Sequence, residues 1–384
     1  MTASRRCVAH LVRTFLAPSE TFIHGQIVGA ERWRPIVVAR KLAQPERFHL
    51  NGHPLCATDV GRSRVVQLWA EWSWRARRFG GGEARRTAAA LAAYAPSLVH
   101  AHFGTDARFF RPLWKRLDVP VIVSFYGYDA QKIPRRFGGL GARYLAPVLA
   151  ESARLVAPSR DMAQDLERLG AVAARIEVLP WGVDTERIRP RLAPRAAGPV
   201  RFATACRFTE KKGVTYLISA FERVLRAGVE AELTLAGGGP LEDAYRAQVR
   251  ALGIQRSVRF PGFLAGADLL SFLWGQDVFV LASVTAADGD KEGTPTVLME
   301  AQAAGLPVVA TRHGGIPDVV AERESLVAER DVDALAARML DLAREHARWP
   351  SIGERGRAHV LAHFDARTQN QRREDLYDRV VEGR

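Results

Sequence analysis

Two glutamates, Glu292 and Glu300, lie eight positions apart in a segment rich in glycine and proline. Thr294 is a typical helix N-cap and Pro295 a typical first helical residue, so the sequence predicts a helix that begins here and runs to about Ala304. Glu292 would then precede the helix, and Glu300 would lie on its second turn. Because carboxylates accept hydrogen bonds from sugar or ribose hydroxyls, both residues are candidates for binding a polyhydroxylated ligand.

The beginning of this predicted helix suits a phosphate group. The first turn of a helix carries N–H groups without partners and the positive end of the helix dipole. We therefore expect the backbone amides of Thr296 and Val297 to hold a diphosphate, with a carboxylate for hydroxyl groups on either side. This arrangement fits a nucleotide sugar, and the stretch expected to contact it comprises Glu292, Gly293, Thr294, Pro295, Thr296, Val297 and Glu300.

Two cations occur where the first strand of the second half leads into its helix. Arg207 ends the predicted strand, and Lys212 follows five residues later, just before Gly213. Cations at a strand end can neutralise a diphosphate and stabilise the negative charge that builds as it leaves. The alternative interpretation is a solvated turn that happens to carry charge.

Short β-branched runs alternate with longer segments of helical period along most of the chain, which is typical of repeated βα units. Both halves should therefore form parallel, doubly wound sheets of the α/β class. Ligands of such sheets bind beyond the carboxyl ends of the strands, so the site is expected in a cleft between two domains. The predicted strands are residues 35–39, 98–103, 120–125, 155–158, 176–179, 200–205, 233–236, 258–260, 278–282, 307–311 and 325–327.

A proline-rich stretch divides the two series of strands. Pro190, Pro194 and Pro199 interrupt the pattern, and Val200 begins a new first strand. The sequence thus predicts an N-terminal domain over residues 1–188, a linker over 189–199, a second domain over 200–366, and a C-terminal helix over 367–384 that packs back on the first domain.

The composition fits an ordinary globular protein with two cores, since 47% of the 384 residues are hydrophobic and 25% are charged. The three cysteines are far apart and have no zinc-ligand spacing, so neither a disulfide framework nor a zinc site is expected. No apolar run reaches the ~20 residues of a membrane-spanning helix, and the first residues contain no signal-peptide core. We therefore expect a cytoplasmic location, with peripheral contact to the inner face of the membrane as a further option.

The positive charge is concentrated in the first half of the chain. The net charge is +13, and residues Met1 to Pro180 contain 27 Lys and Arg against 14 Asp and Glu. Such an excess indicates an anionic partner, for which nucleic acid, an acidic membrane surface and a phosphorylated acceptor are the alternatives. Arginine on solvated surfaces is the simpler interpretation. The sequence contains no recognised nucleic-acid module, so we expect no nucleic-acid partner.

One segment of the first half, Val65 to Phe79, combines an aromatic stripe with a cationic flank. Trp69 and Trp72 are three residues apart, and three arginines, Arg75, Arg77 and Arg78, follow them. On a helix this pattern is typical either of a membrane-interface segment or of a stripe that faces the core.

Taken together, the motifs resemble those of glycosyltransferase family 4. They are the two glutamates with GTPTVLMEAQAAGLPVVAT, CRFTEKKG, LTLAGGGP, VRFPGF, VAPSRDMAQDLERLG and LPWGVD, and together they cover nearly the whole chain. SETFI, HAHFG and DGDKEGTPTVLMEA further resemble the colanic acid and amylovoran branch of exopolysaccharide transferases. The resemblance implies a GT-B fold of two Rossmann-like domains, retention of anomeric configuration, and catalysis without a metal or other cofactor.

The resemblance also implies roles for individual residues of the donor site. Glu300 would hold the ribose hydroxyls, Glu292 the hydroxyls of the donor sugar, and Arg207 with Lys212 the diphosphate. The base would meet the backbone of Gly262, Phe263 and Leu264.

The chain departs from the family pattern on the acceptor side. Many relatives have histidine where this chain has Tyr126, whose phenol is a poor base at an ordinary pKa near 10. His102 and Asp129 are expected either to position the acceptor or to serve the structure. The loop after the first strand, with Ser19, Glu20 and Thr21, is expected on the acceptor side.

The sequence therefore predicts a retaining, metal-independent hexosyltransferase that uses a nucleotide-diphosphate sugar, with UDP favoured over GDP. Its acceptor would be a glycan or a polyprenyl-diphosphate-linked oligosaccharide, in exopolysaccharide or related glycan synthesis. A nonhydrolysing sugar-nucleotide epimerase is the alternative within the same architecture, and a basic nucleic-acid-binding protein is the alternative outside it. The candidate catalytic residues are Arg207, Lys212, Glu292, His102, Tyr126 and Asp129.

Overall fold

The chain folds into two units, each built around one parallel β-sheet. The computed structural model describes residues 5–15, 21–43, 50, 52–57, 79–135, 139–191 and 198–383. The first unit contains Met1–Trp181 together with Ala366–Arg384, and the second contains Gly182–Asp365.

The sheet of the first unit has seven strands in the order β3-β2-β1-β4-β5-β6-β7. Its inner strands are buried on both faces, as expected for a parallel sheet with helices on each side. The strands are β1 (Cys7–Phe15), β2 (Arg34–Leu42), β3 (Leu55–Ala57), β4 (Pro96–His102), β5 (Val121–Ser124), β6 (Arg154–Ala157) and β7 (Ile176–Val178). The helices are α1 (Thr21–Val28), α2 (Gly81–Ala92), α3 (Gly104–Phe109), α4 (Arg111–Leu117), α5 (Tyr128–Gln131), α6 (Leu140–Glu151), α7 (Arg160–Arg168) and the C-terminal α15 (Ala366–Val381).

The sheet of the second unit has six strands in the order β10-β9-β8-β11-β12-β13, again all parallel. The strands are β8 (Val200–Arg207), β9 (Ala231–Gly238), β10 (Val258–Gly262), β11 (Val278–Leu281), β12 (Val308–Thr311) and β13 (Leu326–Val327). The helices are α8 (Val214–Arg226), α9 (Glu242–Ala251), α10 (Ala267–Trp274), α11 (Thr296–Ala303), α12 (Ile316–Val319), α13 (Val332–Arg344) and α14 (Trp349–His363).

The predicted α/β class and the two doubly wound parallel sheets are confirmed, and every predicted strand is present. Two observed strands are missing from the predicted set, the nine-residue β1 and the short edge strand β3. The three residues of β3 are too few to show a period. Sheet order places β8, β11 and β12 side by side, so the segments that follow these strands meet at one edge of the second sheet.

The division between the units falls earlier than the predicted end of the first domain at residue 188 and the predicted linker at 189–199. Residues 182–191 belong to the second unit. The amide of Val183 donates to the carbonyl of Phe364 at 2.8 Å, and the amide of Arg191 donates to the carbonyl of Ala304 at 3.0 Å. Proline breaks helical periodicity but does not prevent such backbone contacts, which is why the sequence placed the boundary too late.

The C-terminal helix α15 is part of the first unit. Leu376 and Tyr377 pack in a core cluster with residues of the first sheet, including Val8 and Leu98. The buried Glu374 carboxylate accepts backbone hydrogen bonds from Arg32 and Trp33, each at 2.8 Å, and from Glu31 at 3.1 Å. One side chain of α15 thus binds the chain segment that leads into β2.

Replacing Glu374 with alanine is expected to destabilise the first unit by roughly 3 kcal/mol, because a buried donor left without a partner costs about 1–3 kcal/mol and three donors are released. Asp375→Ala is the matched control, since its carboxylate is 53% exposed and pairs with Arg32 on the surface. Exposed pairs contribute about 0–1 kcal/mol. Denaturant unfolding of the two variants checks this, and equal losses would contradict the role assigned to Glu374.

Candidate functional site

The helix α11 provides the N-terminus that the sequence placed at this edge of the second sheet. It begins at Thr296, and Pro295 is its N-cap with φ −73° and ψ 109°. The predicted cap by Thr294 is therefore wrong, because the extended proline itself occupies the cap position and offers no side-chain acceptor. Among the described residues, the amide of Val297 has no hydrogen-bond partner, so it can donate to an anion.

Glu292 lies in the loop between β11 and α11, with its carboxylate buried beside a lysine. The Nζ atom of Lys212 is 2.7 Å from Glu292 Oε1, and both side chains are at most 12% exposed. Burial alone would raise the pKa of Glu292, but the charges of Lys212 and Lys211 outweigh it and lower the pKa to about 2. Glu292 is therefore an ionised acceptor at neutral pH.

Lys212 is placed by the tight connection between β8 and α8. Gly213 follows it with φ +60°, and a Cβ atom there would lie 1.8 Å from the carbonyl oxygen of Ala282. Only glycine allows the connection to pass this close to the end of β11. The neighbouring Lys211 binds Asp290 at 3.2 Å, so two consecutive lysines hold the loop that contains Glu292.

Glu300 lies on the second turn of α11, as predicted, in an environment opposite to that of Glu292. Within the described parts of the chain its carboxylate has neither a hydrogen-bond nor an ion-pair partner. Burial raises its pKa to about 7. A desolvated carboxylate without a partner is a ready acceptor for ligand hydroxyl groups, since a ligand would supply the hydrogen bonds that the protein withholds.

The remaining predicted donor-site residues lie at the ends of β8 and β10. Arg207 is exposed at the last position of β8, and its guanidinium forms no hydrogen bond or ion pair with any other described residue. Gly262 ends β10 with φ +86°, and the next residue, Phe263, is 66% exposed. Leu264 is partly buried. The structure thus leaves Arg207 and Phe263 accessible to a ligand.

This edge of the second sheet therefore combines a helix N-terminus, a buried Lys212–Glu292 pair and the unpaired carboxylate of Glu300. The cations and the N-terminal amides suit an anion, whereas the two carboxylates suit hydroxyl groups. A ligand that carries both kinds of group, such as a nucleotide sugar, matches this set.

The predicted site residues of the first unit follow the neighbouring strands β4 and β5. His102 ends β4 and is fully buried, with Nδ1 2.8 Å from the hydroxyl of Tyr126 and Nε2 2.9 Å from His10 Nδ1. The Tyr126 hydroxyl also donates to Gln26 Oε1 at 3.4 Å. Burial raises the pKa of Tyr126. A phenol with a raised pKa is a still weaker base than an ordinary one, so Tyr126 is suited to hydrogen bonding only.

Asp129 is fully buried beneath the loops that follow β4 and β5. Its Oδ2 accepts from the amide of Gly104 at 2.8 Å, and its Oδ1 accepts from the amides of Tyr126 at 3.1 Å and Gly127 at 3.2 Å. Burial raises its pKa to about 6. The structure places Asp129 as a support for these two loops, with both carboxylate oxygens occupied.

Three imidazoles, His10, His100 and His102, form the one group among the described His, Cys, Asp and Glu residues that is close enough to hold a metal ion. Their ring nitrogens are largely occupied by hydrogen bonds, since His100 contacts Tyr377 at 2.6 Å and Ser124 at 2.8 Å. Burial and the charge of Arg373 lower the pKa of His10, His100 and His102, so the imidazoles are neutral. A cation would have to displace these hydrogen bonds beside a buried guanidinium.

Several predictions lie outside the described residues. Ser19 and Glu20 are among them, as are residues 65–78 with Trp69, Trp72 and the three arginines, and only Thr21 of the acceptor-side loop is described, as the exposed first residue of α1. In the described parts of the chain, no helix combines the length and the apolar character needed to span a bilayer.

Sequence reasoning missed two residues of the second unit that contact the loop of Glu292. His313 lies after β12, its Nε2 accepts a hydrogen bond from the amide of Glu292 at 3.0 Å, and its Nδ1 is 2.7 Å from Glu329 Oε1. The available signal was the dipeptide Gly314–Gly315 in the turn that follows β12, which marks a close backbone approach.

Two doubly wound parallel sheets, of seven and six strands, are the architecture of the GT-B fold of glycosyltransferases. HepE of Anabaena, solved in complex with UDP, has this fold, with a TM-score of 0.77, 17% identity, and coverage of 98% of this chain and 100% of HepE. Residues 188–359 match the family Glycosyl transferases group 1, and residues 29–187 match Glycosyltransferase Family 4.

Named relatives narrow the class to a family. AmsK of Erwinia amylovora, an amylovoran biosynthesis glycosyltransferase, is 30% identical over 292 residues, which are 75% of this chain and 71% of AmsK. WcaL of Salmonella typhimurium, a glycosyltransferase named for colanic acid biosynthesis, is 34% identical over 230 residues, 59% of this chain and 57% of WcaL. This chain belongs to glycosyltransferase family 4.

A further relative is named for its donor, GDP-mannose. A GDP-mannose-dependent phosphatidylinositol monomannoside mannosyltransferase of Corynebacterium glutamicum is 34% identical over 209 residues, 51% of this chain and 54% of that enzyme. The chain thus spans a little over half the length of this relative and of WcaL.

Proposed function

We propose that this protein is a retaining, metal-independent glycosyltransferase that moves a hexose from a nucleotide-diphosphate sugar to a hydroxyl group of a glycan or lipid-linked acceptor. The observation that carries the proposal is the pair of carboxylates at one sheet edge, one ionised by Lys212 and one without a partner.

Each donor-site residue has a chemical task in this proposal. The N-terminal amides of α11, with Arg207 and Lys212, bind the diphosphate and stabilise the charge that develops on it. Glu300 accepts the ribose hydroxyls and Glu292 the hydroxyls of the sugar. The backbone near Phe263 meets the base.

The transfer is proposed to proceed on one face of the sugar. The bond from the anomeric carbon to the phosphate oxygen breaks, the acceptor oxygen bonds to that carbon on the same face, and the leaving phosphate takes the acceptor proton. A double displacement would need a carboxylate nucleophile at the anomeric carbon. Glu292 is held by Lys212 and Glu300 is assigned to the ribose, which favours the one-face route.

The acceptor is proposed to be a glycan or polyprenyl-diphosphate-linked oligosaccharide of exopolysaccharide or related synthesis, as the names of AmsK and WcaL suggest. A lipid-linked diphosphate is anionic, which fits the excess of positive charge in the first 180 residues. These residues include 27 Lys and Arg but only 14 Asp and Glu. Contact with an anionic membrane surface is part of this proposal.

The donor is proposed to be a UDP-sugar. The fold likeness to HepE solved with UDP suggests this choice, while the mannosyltransferase relative makes GDP-mannose the competing donor. Calorimetric titration of UDP, GDP and their hexose conjugates tests both. Binding of none of these ligands would overturn the proposed function.

The Glu292→Gln variant is expected to bind free UDP or GDP nearly as the wild type does, but to discriminate less between the nucleotide and its hexose conjugate. The reason is that the proposed partners of Glu292 are on the sugar. The ratio of the two dissociation constants, measured by calorimetry, is the readout. A uniform loss for the free nucleotide would show that the roles of the two glutamates are exchanged.

Replacing Tyr126 with phenylalanine is expected to lower kcat by no more than about tenfold, because it removes one neutral hydrogen bond that contributes about 0.5–1.5 kcal/mol. Loss of a general base would cost about 10²–10⁴-fold. Steady-state kinetics with Gln26→Ala as the matched control, which removes the hydroxyl's other partner, separates the two cases. A loss of kcat above a hundredfold for Tyr126→Phe alone would show that the phenol acts in catalysis.

A further inference from the structure

The peptide of Glu292 is held on both sides by the segment that follows β12. Its N–H donates to His313 Nε2 at 3.0 Å, and its carbonyl accepts from the amide of Gly315 at 3.3 Å. Between these contacts, Gly314 has φ +50°, and a Cβ atom there would lie 2.2 Å from the Glu292 carbonyl oxygen. The close approach therefore requires glycine at this position.

These contacts determine the protonation state of His313. A backbone N–H can only donate, so Nε2 must carry its lone pair, and the proton of the neutral ring is on Nδ1. This Nδ1–H donates to Glu329 Oε1 at 2.7 Å. The His313 side chain is fully buried, whereas Glu329 is 25% exposed.

Glu329 is itself fixed by a second element of the site. Its Oε2 accepts from the amide of Thr285 at 2.7 Å, and its Oε1 accepts from the Thr285 hydroxyl at 3.3 Å. Thr285 lies in the loop that leads from β11 to Glu292. A series of contacts therefore connects two residues of the same loop, and it runs from Thr285 through Glu329 and His313 to Glu292. The His313 imidazole is at its centre.

We infer that His313 is a positioning residue for Glu292, kept in its Nδ1–H tautomer by Glu329. The imidazole holds the Glu292 peptide while Lys212 holds its carboxylate, so the direction of the carboxylate toward the sugar is set from both ends. This inference rests on the proposed function, because it assigns His313 to recognition of the donor sugar and not of the nucleotide.

The test compares His313→Ala, which removes the acceptor, with His313→Gln, whose Oε1 can accept from the same amide without titrating. His346→Gln is the control, since His346 is an exposed histidine of the same unit whose ring lies tilted against Trp349. Hydrogen exchange of a peptide covering residues 288–298 reports on the Glu292 amide without any ligand. The ratio of dissociation constants for UDP and a UDP-hexose reports on donor recognition.

We expect His313→Ala to speed exchange of the Glu292 amide by about tenfold or more, as follows from losing one hydrogen bond, and to lower the UDP-hexose to UDP discrimination toward that of Glu292→Gln. His313→Gln and His346→Gln should keep both readouts near the wild type. Glu329→Ala should change both readouts in the same direction as His313→Ala, because the His313 imidazole is then no longer kept in its Nδ1–H tautomer.

The inference is overturned if His313→Ala leaves the exchange rate of the Glu292 amide unchanged. It is also overturned if His313→Ala and His313→Gln weaken the binding of free UDP and of UDP-hexose equally and lower the melting temperature, because these losses would indicate a purely structural role. Failure of the proposed function has a different signature. The wild type would then bind no nucleotide sugar, while the exchange measurement would still decide whether His313 holds Glu292.

Discussion

Replacing Lys212 with alanine is expected to lower kcat by about 10²–10³-fold, the loss typical of removing one group that stabilises charge in the transition state. The same change leaves the buried Glu292 carboxylate without its 2.7 Å partner. Breaking a buried ion pair from one side costs about 3–5 kcal/mol of stability. The variant should therefore be both slower and less stable.

The two effects of Lys212→Ala can be separated by pH and by a second substitution. The pKa of Glu292 is lowered to about 2 in the fold, so its ionised form stabilises the protein above its ordinary pKa, and this contribution is lost as the pH falls through 2. The stability deficit of Lys212→Ala should accordingly be large at pH 7 and smaller at pH 4, where an unpaired carboxyl can take a proton. Adding Glu292→Gln should recover stability at pH 7 without recovering kcat.

Lys211→Ala is the matched control for Lys212→Ala, since Lys211 is the adjacent lysine and pairs with Asp290, a carboxylate outside the proposed donor contacts. It should leave kcat within a few-fold of the wild type. Steady-state kinetics and thermal melting at the two pH values check these expectations. An equal loss of kcat in both lysine variants would mean that net positive charge, and not the position of Lys212, assists the departure of the diphosphate.

Replacing Glu300 with glutamine is expected to weaken binding of the free nucleotide by about 10- to 150-fold, because a hydrogen bond to a charged group contributes about 1.5–3 kcal/mol. The same substitution should make the ligand-free protein more stable at pH 8. Burial raises the pKa of Glu300 to about 7, above its unfolded value, so the folded state favours the protonated acid. The protein therefore loses stability as the pH rises from the unfolded value to about 7, and the loss is complete above that pH. Glutamine cannot ionise and avoids this loss.

The pH dependence gives the Glu300 prediction its internal control. At pH 5 wild type and Glu300→Gln should melt at similar temperatures, because Glu300 is then protonated in the fold. Glu354→Gln, at an exposed position of α14, should change neither melting temperature nor affinity. Calorimetry with UDP and GDP and melting curves at pH 5 and 8 are the measurements. Unchanged nucleotide affinity would remove Glu300 from the ribose site.

The opposite behaviour of the two glutamates shows the limit of local sequence information. Glu292 and Glu300 are the same residue type, eight positions apart, yet the pKa is lowered to about 2 for one and raised to about 7 for the other. Two lysines from a different βα connection produce the first shift. Burial produces the second, since Glu300 has no ion-pair or hydrogen-bond partner among the described residues. A motif specifies which residue types are present, but it does not specify which long-range neighbours will face them.

The first unit shows the same limit of local sequence information, here for two candidate site residues that the fold buries. His102 ends β4 and Asp129 follows β5, on the side of the sheet where ligands often bind, and both interpretations were open from the sequence. The fold buries both, and backbone amides occupy the two oxygens of Asp129. Whether a strand-end residue points to solvent or beneath a loop depends on the path of the next loop, which periodicity does not encode.

The sequence by itself determined the two parallel sheets and all of their strands except β1 and β3. It also determined the helix that carries Glu300 and the placement of Arg207 and Lys212 at a strand end. These features depend on local periodicity and turn chemistry, which adjacent residues specify. Only the tertiary structure decided the cap at Pro295, the membership of residues 182–191 in the second unit, and the contact of His313 with Glu292. The last two depend on groups brought together from distant positions, and their pairing is set by packing of the whole unit.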